Sequence, residues 1–417
     1  MSIPKNLFYR VKGLLTILAI AALQTANSRA AGTTFYKDVL PILQLHCQSC
    51  HRPGEIGPMP LLTYAQARPW ATAIREAVAL RKMPPWFANP HYGKFANDPS
   101  LRPGEIEVVN RWVAAGAPAG LKSEAPPPLQ WNGDWNIARP DLILAAPRPF
   151  AIEARATVAY QYIVLCPNLT DDKWVEAVEI RPSDRSVVHH AVLYVRERGD
   201  DWLKDASNSG QTKSDILAIY TPGGAPATWG KGMAKLIPAG SDLVLQVHYT
   251  AKATTARDRP RVGIRFLRGD PARRVLTLQM GNDRLDIPPG ERDYRVRVSG
   301  TLPRDALLVG LFPHMHLRGS EFEYQVAGPN GHVETLLDVK PYNFHWQTTY
   351  NLAEPKPLRA GTQLIWTAHY DNSPNNPLNP DPSADVTWGE QSWEEMMIGF
   401  FDIAVEPDID KRQFFIR

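Results

Sequence analysis

Cysteine is scarce in this chain, with three in 417 residues, and neither charge sign is in marked excess, since 46 Lys and Arg stand against 43 Asp and Glu. A formal net charge of +3 implies neither a nucleic-acid partner nor a strongly acidic one. The apolar run "LLTILAIAAL", Leu14 to Leu23, falls short of the roughly 20 residues a membrane-spanning helix needs. With so few cysteines, two of them, Cys47 and Cys50, fall directly before His51 in "LHCQSCHRPG". A thioredoxin-like redox pair would need a βαβ context, which is lacking. A structural zinc would need four Cys or His ligands, and no second Cys pair follows. Cys-x-x-Cys-His is the attachment pattern of a c-type haem, in which two thiols form thioethers and the adjacent imidazole sits beneath the iron. That use leaves Cys166 alone, excludes a disulfide framework, and predicts a buried, inert thiol.

Lys5, Arg10 and Lys12 precede the apolar run, and small residues at Ser28, Ala30 and Ala31 follow it. This is the layout of a secretory signal peptide over residues 1–31, with cleavage near Ala30 or Ala31. No cysteine lies there to carry a lipid anchor. Export agrees with covalent haem, which is attached outside the cytoplasm, so the expected compartment is a periplasm, with no stable membrane insertion after cleavage.

Residues 32–120 read as helical and are expected to form a small all-α cytochrome c domain. "TFYKDVLPILQLHCQSCH", "YAQARPWATAIREAVALRKM" and "RPGEIEVVNRWVAAGAP" each space apolar residues at helical intervals. Pro103 precedes the third run and Gly116 ends it, as helix boundaries prefer. Met83, in "LRKMPPW", is the expected sixth iron ligand: Pro84 and Pro85 stop the helix and leave the thioether on an extended segment. Met59 lies too close to His51 in sequence to cross a haem, and His91 is the runner-up.

"LKSEAPPPLQWNGD", residues 121–134, has the Pro-rich, polar character of a linker. Beyond it, short runs such as "WVEAVEIRP", "VVHHAVLYV", "DLVLQVHYTA", "ALLVGLFPHMHL" and "TQLIWTAHYD" are bounded by Pro, Gly, Asn and Asp, as strands are in sandwiches and jelly rolls. The 38 prolines and 28 glycines of the chain suit many short strands and turns. This region is too large for one ordinary sandwich, so two all-β domains are expected, 135–275 and 276–417.

The histidines of the β region are clustered. His189 and His190 are adjacent in one strand, His248 sits in a second, and His314 and His316 alternate in a third. Residues i and i+2 of a strand face one side, so "HMH" offers two imidazoles to one metal while Met315 points away. Neighbours in a strand normally face opposite sides, so "HH" can share a metal where the strand end bends or where different ring nitrogens are used. With a methionine from "WEEMMIGF", imidazole plus thioether suits copper, whereas zinc finds no thiolate or carboxylate at ligand spacing. His369, His345, His332, His91 and His46 have no partner in sequence, His369 being open to a turn-stabilising or an outer role.

The ordered run "SVVHHAVLYV", "LVLQVHYT", "HMH" and "EEMMIGF" resembles the type II, ascorbate-dependent copper monooxygenases, the family of peptidylglycine α-hydroxylating and dopamine β-monooxygenases. The resemblance covers about residues 135 to 417. It implies two jelly-roll-like domains, each holding one copper, across a solvent-filled cleft. It places an electron-transfer copper on His189, His190 and His248, and an oxygen-binding copper on His314, His316 and Met396, with Met397 the alternative thioether. It implies O₂-dependent hydroxylation of a C–H bond in a small-molecule substrate, with two electrons needed per turnover. In the peptide-amidating branch an arginine and a tyrosine hold the substrate carboxylate where this chain has Phe312 and Phe400, so a peptidylglycine substrate is not supported. The expected cofactors are two copper ions and one haem c, and the expected function a periplasmic copper monooxygenase fed through its own haem by an ascorbate-like reductant or a redox protein. The alternative is a haem and copper redox or copper-handling protein that does not oxygenate.

Overall fold

The computed structural model describes residues 32–131, 135–197, 199, 215–328, 331–411 and 414. The expected signal peptide lies outside the described residues. The described chain divides into two compact units, one made of 57–84 and 100–129 with the segment up to Pro53, the other of 54–56, 85–99 and 130–417. Residues 121–129 thus belong to the first unit, and the Gln44 side-chain amide donates to the Pro127 carbonyl (2.9 Å). Among the described residues no helix is long and apolar enough to cross a membrane.

The expected all-α cytochrome domain is not seen: helices make up 14% of the described residues against 38% for strands. The first unit contains short helical pieces: a π-helical turn Phe35–Val39 running into Leu40–His46, then Tyr64–Ala67, a 3₁₀ turn Arg68–Trp70, Ala71–Ala79, and Pro103–Ala114. Proline is one physical reason for their brevity. Pro53, Pro58 and Pro60 keep the stretch after His51 irregular, Pro69 sits at the start of the 3₁₀ turn, and the helix Ala71–Ala79 ends before Arg81, which turns into the left-handed region (φ 53°), ahead of Pro84 and Pro85. Phe35, Leu43, Ala67, Ile74, Val109 and Trp112 form the core that these pieces share.

The β part also departs from two separate jelly rolls. A nine-stranded sheet runs through both expected domains, in the order Leu142–Ala145, Arg261–Phe266, Lys173–Arg181, Met233–Ile237, Arg273–Asn282, Met397–Val405, Ala306–His314 and Tyr350–Leu358, with Ala227–Thr228 paired to Lys173–Arg181. The join falls where two domains were expected to part: Arg273 and Arg274 pair in parallel with Met233 and Ala234. The join is short, those two residue pairs between the ends of Met233–Ile237 and Arg273–Asn282.

Two four-stranded sheets cover this central sheet. One contains Gln161–Leu165, Asp242–Tyr249, Val188–Arg196 and Asp215–Tyr220, and we call it the histidine sheet. Its inner face sets Leu193, Val195, Leu245 and Val247 against Val175, Val178, Val262 and Ile264 of the central sheet. The other contains Tyr294–Thr301, Gln363–Tyr370, Gly319–Ala327 and Val333–Val339. It buries Phe322, Tyr324 and Trp366 against Leu311, Phe401 and Ile403. The opposite face of the histidine sheet is buried as well: Val192, Tyr194 and Val244 pack against Phe312, Ile398 and Phe400 of the central sheet. This second interface positions the candidate site.

Candidate metal centre

Three of the predicted ligands meet on the histidine sheet. His190 pairs in register with His248, while the register slips between Val188 and His190. His189 is therefore the extra residue of a β-bulge, the bend by which two adjacent histidines can serve one side of a strand. Ligand nitrogens of His189, His190 and His248 lie within 4.8 Å of one another and could hold a metal ion. Facing nitrogens are selected by the hydrogen bonds: Tyr160 Oη lies 3.3 Å from His190 Nε2, which leaves Nδ1 of His190 3.0 Å from Nδ1 of His189. His248 Nδ1 is buried with no hydrogen-bond partner.

His314 ends the strand Ala306–His314, and His316 lies two residues beyond, with Met315 fully buried in the opposite core. Their outer nitrogens are anchored. His314 Nδ1 donates to Gln347 Oε1 (2.7 Å), and His316 Nδ1 donates to the Glu394 carbonyl (3.1 Å). The Nε2 atoms are then the free lone pairs, and His316 Nε2 is buried without a partner. A buried, unsatisfied nitrogen costs about 1–3 kcal/mol, so two of them in one place fit a group that coordinates there.

The two predicted thioethers separate by strand parity. Met397 is wholly buried in the core beneath the central sheet. Met396 lies on the other face, with Phe312, Ile398 and Phe400, and His314 is in register with Ile398 of that same face. Glu395, itself fully buried, fixes the local backbone: its Oε2 accepts from the N–H groups of His316 (2.8 Å) and Met396 (3.3 Å), and Oε1 from Arg318 (2.6 Å). Burial pushes its carboxyl up to about 8, and the three N–H donors oppose that rise. The Tyr370 hydroxyl donates to the Met396 carbonyl (2.8 Å).

The two histidine sets are in contact. Ring centroids of His190 and His314 are 5.5 Å apart and nearly perpendicular, as close as the 5.1 Å between His190 and His248. Desolvation, followed by the other histidines, holds His189 down to about 3 and His248 to about 4. Burial likewise keeps His190, His314 and His316 below the ordinary histidine range. The cluster thus offers neutral imidazoles, the form that binds metal. A copper would be held here by nitrogen and thioether donors together, the combination its reduced state favours.

In the first unit the helix Leu40–His46 ends at Cys47, and the N–H groups of Cys50 (3.2 Å) and His51 (2.8 Å) both donate to the Cys47 carbonyl. This turn brings both thiols beside the imidazole. His51 Nδ1 donates to the Met59 carbonyl (3.1 Å), which orients the ring and leaves Nε2 for iron. A Cβ at Gly57 would sit 2.7 Å from His51 Nδ1, so only glycine fits against the ring. Burial, then Cys50, pushes the Cys47 thiol up to about 12. These residues fit a covalently held haem. Met83 is half-buried just past the helix Ala71–Ala79, its N–H 3.3 Å from the Ala77 carbonyl.

Three expectations are corrected or refined at this level. Cys166 is exposed, not buried, because it falls just past the strand Gln161–Leu165. His369 Nδ1 is hydrogen-bonded to Asp293 Oδ1 (2.6 Å) rather than joining the cluster. His46 pairs with Glu105 (3.4 Å). Gln347, Tyr160, Phe344 and Glu395 were missed, the first three because they sit in irregular segments with no pattern. Glu395 adjoins the methionine in "EEMM", a signal that was available.

No protein-family model matches the chain, and no curated protein matches it. Among solved structures, PNGF-II is similar at TM-score 0.31 and 9% identity, over 64% of this chain and 66% of that one. This chain thus spans just under two thirds of that structure's length. The major capsid protein P2 from bacteriophage PM2 gives TM-score 0.26 and 9% identity over 63% and 99%. PNGase F, a glycosylasparaginase from Flavobacterium meningosepticum, gives 0.24 and 9% over 62% and 96%. Such scores carry no argument about function.

Proposed function

We propose that this protein is an exported copper-dependent monooxygenase that hydroxylates a C–H bond of a small, largely apolar substrate, with electrons supplied through a c-type haem on Cys47, Cys50 and His51. The observation that carries the reading is the burial, in one place, of five neutral histidines with Met396 on the same sheet face as His314. Bound copper would supply one-electron redox chemistry and O₂ binding. The chain's own residues hold the His314 and His316 nitrogens in fixed tautomers through Gln347 and Glu394, orient the His190 ring through Tyr160, and exclude water by packing Phe312, Ile398 and Phe400 beside the thioether.

Support for the substrate class comes from a cavity that shares Phe312 and Phe400 with the site and is lined also by Ile216 and Trp229 and by Thr277, Asn351, Lys235 and Asp402. Lys235 is committed: it donates to Thr277 Oγ1 (2.6 Å) and the Ile216 carbonyl (2.9 Å), and lies 3.6 Å from Asp402. No unpaired cation among these residues waits for a carboxylate, which disfavours a peptidylglycine and suits an apolar molecule.

Copper and haem per chain, then ¹⁸O₂ incorporation into small aromatic and aliphatic compounds, test the reading. Labelled product that disappears in His316→Ala and Met396→Ala is the expected result. Copper and haem binding with O₂ uptake that no substrate accelerates would favour the redox or copper-handling alternative.

A further inference from the structure

The resemblance implies two copper sites separated by solvent, and the arrangement of the side chains argues otherwise. Along Val188–Arg196 and Asp242–Tyr249, the alternation that points Val192, Tyr194 and Val244 out of the histidine sheet points His190 and His248 the same way. Along Ala306–His314 and Met397–Val405, the face that carries Phe312, Ile398 and Phe400 also carries His314, with Met396 just ahead of it. These two faces pack directly on each other. The ligand sets are therefore the end of a continuous dry interface.

The ring geometry agrees. His190 lies 5.1 Å from His248 and 5.5 Å from His314, and His314 lies 5.2 Å from His316, so the imidazoles form an unbroken chain of edge contacts. A single short segment touches both sets. Phe344 stacks on His189 at 4.1 Å and meets His316 edge-on at 6.1 Å, while Gln347, three residues later, bonds His314. Thr221, at the end of the histidine sheet, donates to the Gln347 carbonyl (2.6 Å) and ties that segment down.

We infer that His189, His190, His248, His314, His316 and Met396 form one binuclear chamber, in which two copper ions lie close enough for their spins to interact. The inference rests on the copper reading above and goes beyond it in the separation of the ions. Its consequence is that both electrons needed for one hydroxylation would be stored side by side, with no solvent gap between them.

The test uses the full haem-loaded chain, titrated with Cu(II) to two equivalents, with copper quantified by mass spectrometry and spins by electron paramagnetic resonance. The expected result is two bound copper ions with a broadened spectrum, a half-field transition, and a copper–copper scattering path in the X-ray absorption of the reduced protein. His248→Gln, chosen to keep the ring's volume and polarity, should leave one copper with an ordinary isolated spectrum and no half-field signal. Two bound ions with two fully counted, unbroadened spins and no copper–copper path would overturn the binuclear chamber while leaving the copper reading intact. A single bound ion at saturation would overturn it too. Absence of any bound copper would instead overturn the copper reading on which it stands.

Discussion

Replacing Glu395 by glutamine tests how the thioether is positioned. One carboxylate serves three backbone N–H groups, those of His316, Met396 and Arg318, and so staples the end of the "HMH" segment to the residue before the strand Met397–Val405. Glutamine has one oxygen for these donors and turns an amide NH₂ toward at least one of them. With Glu395 and Arg318 both buried, each orphaned donor costs about 1–3 kcal/mol. Arg318 keeps its bonds to Asn372 Oδ1 (2.7 Å) and the Trp393 carbonyl (2.8 Å). One orphaned donor destabilises by about 1–3 kcal/mol and two by about 2–6 kcal/mol. In a unit of this size that lowers Tm by about 2–10 °C. The specific readout is the copper–sulfur scattering path of the reduced protein, which should weaken or vanish while nitrogen scattering from His189, His190 and His248 persists. An unchanged Tm with the sulfur path intact would refute the staple.

The same sites yield three further expectations. Because burial holds His189 down to about 3 and His248 to about 4, the folded apo protein is already unprotonated at pH 6, where an ordinary histidine is roughly three-quarters charged. Copper loading at pH 6 should therefore release well under one proton per ion by calorimetry in two buffers, and release of two or more would contradict the assignment. Exposed Cys166, whose thiol is raised by partial desolvation and by Asp242, should be alkylated in the folded protein to one equivalent, more slowly than free cysteine; three equivalents would mean that Cys47 and Cys50 carry no thioethers. Met83→Ala should abolish the sulfur-to-iron absorption band and lower the haem potential, and an unchanged spectrum would remove Met83 from the iron.

Much of the site could be read in the sequence because its ligands obey local geometry. "HMH" needed only strand parity, and Met315 does point into the opposite core. "HH" is ambiguous in the sequence: whether His189 and His190 share a side depends on a bulge against Tyr249 and His248, and register between strands so far apart in sequence has no local signature. The fold was less legible. Amphipathic stretches before and after His51 suggested a helical domain, yet proline fragments them, and the segment 85–99 belongs to the β unit, where Trp86 and Phe95 pack on Tyr350 (4.7 and 5.5 Å). Equally, nothing local shows that Arg273 will pair with Met233 and fuse two sandwiches into one sheet.

That fusion bears on how the site works. Two domains divided by a cleft could vary the distance between their metals by hinge motion, with water filling the space. Here the spacing of the two histidine sets is fixed by Val192, Tyr194 and Val244 pressing on Phe312, Ile398 and Phe400, six buried side chains next to the histidines in the same or paired strands. Each such side chain contributes about 1.5–3 kcal/mol by leaving water, far more than a surface contact could. The outer nitrogens of His314 and His316 are held by Gln347 and Glu394, and the ring of His190 by Tyr160, so rotation of the ligands is restrained as well. Spacing set by apolar packing and orientation set by single hydrogen bonds are separate controls. The first depends on the shape of the sheets and the second on side chains in loops, which is why a chain can keep the ligand pattern of separated copper sites and still bring the two sets into contact.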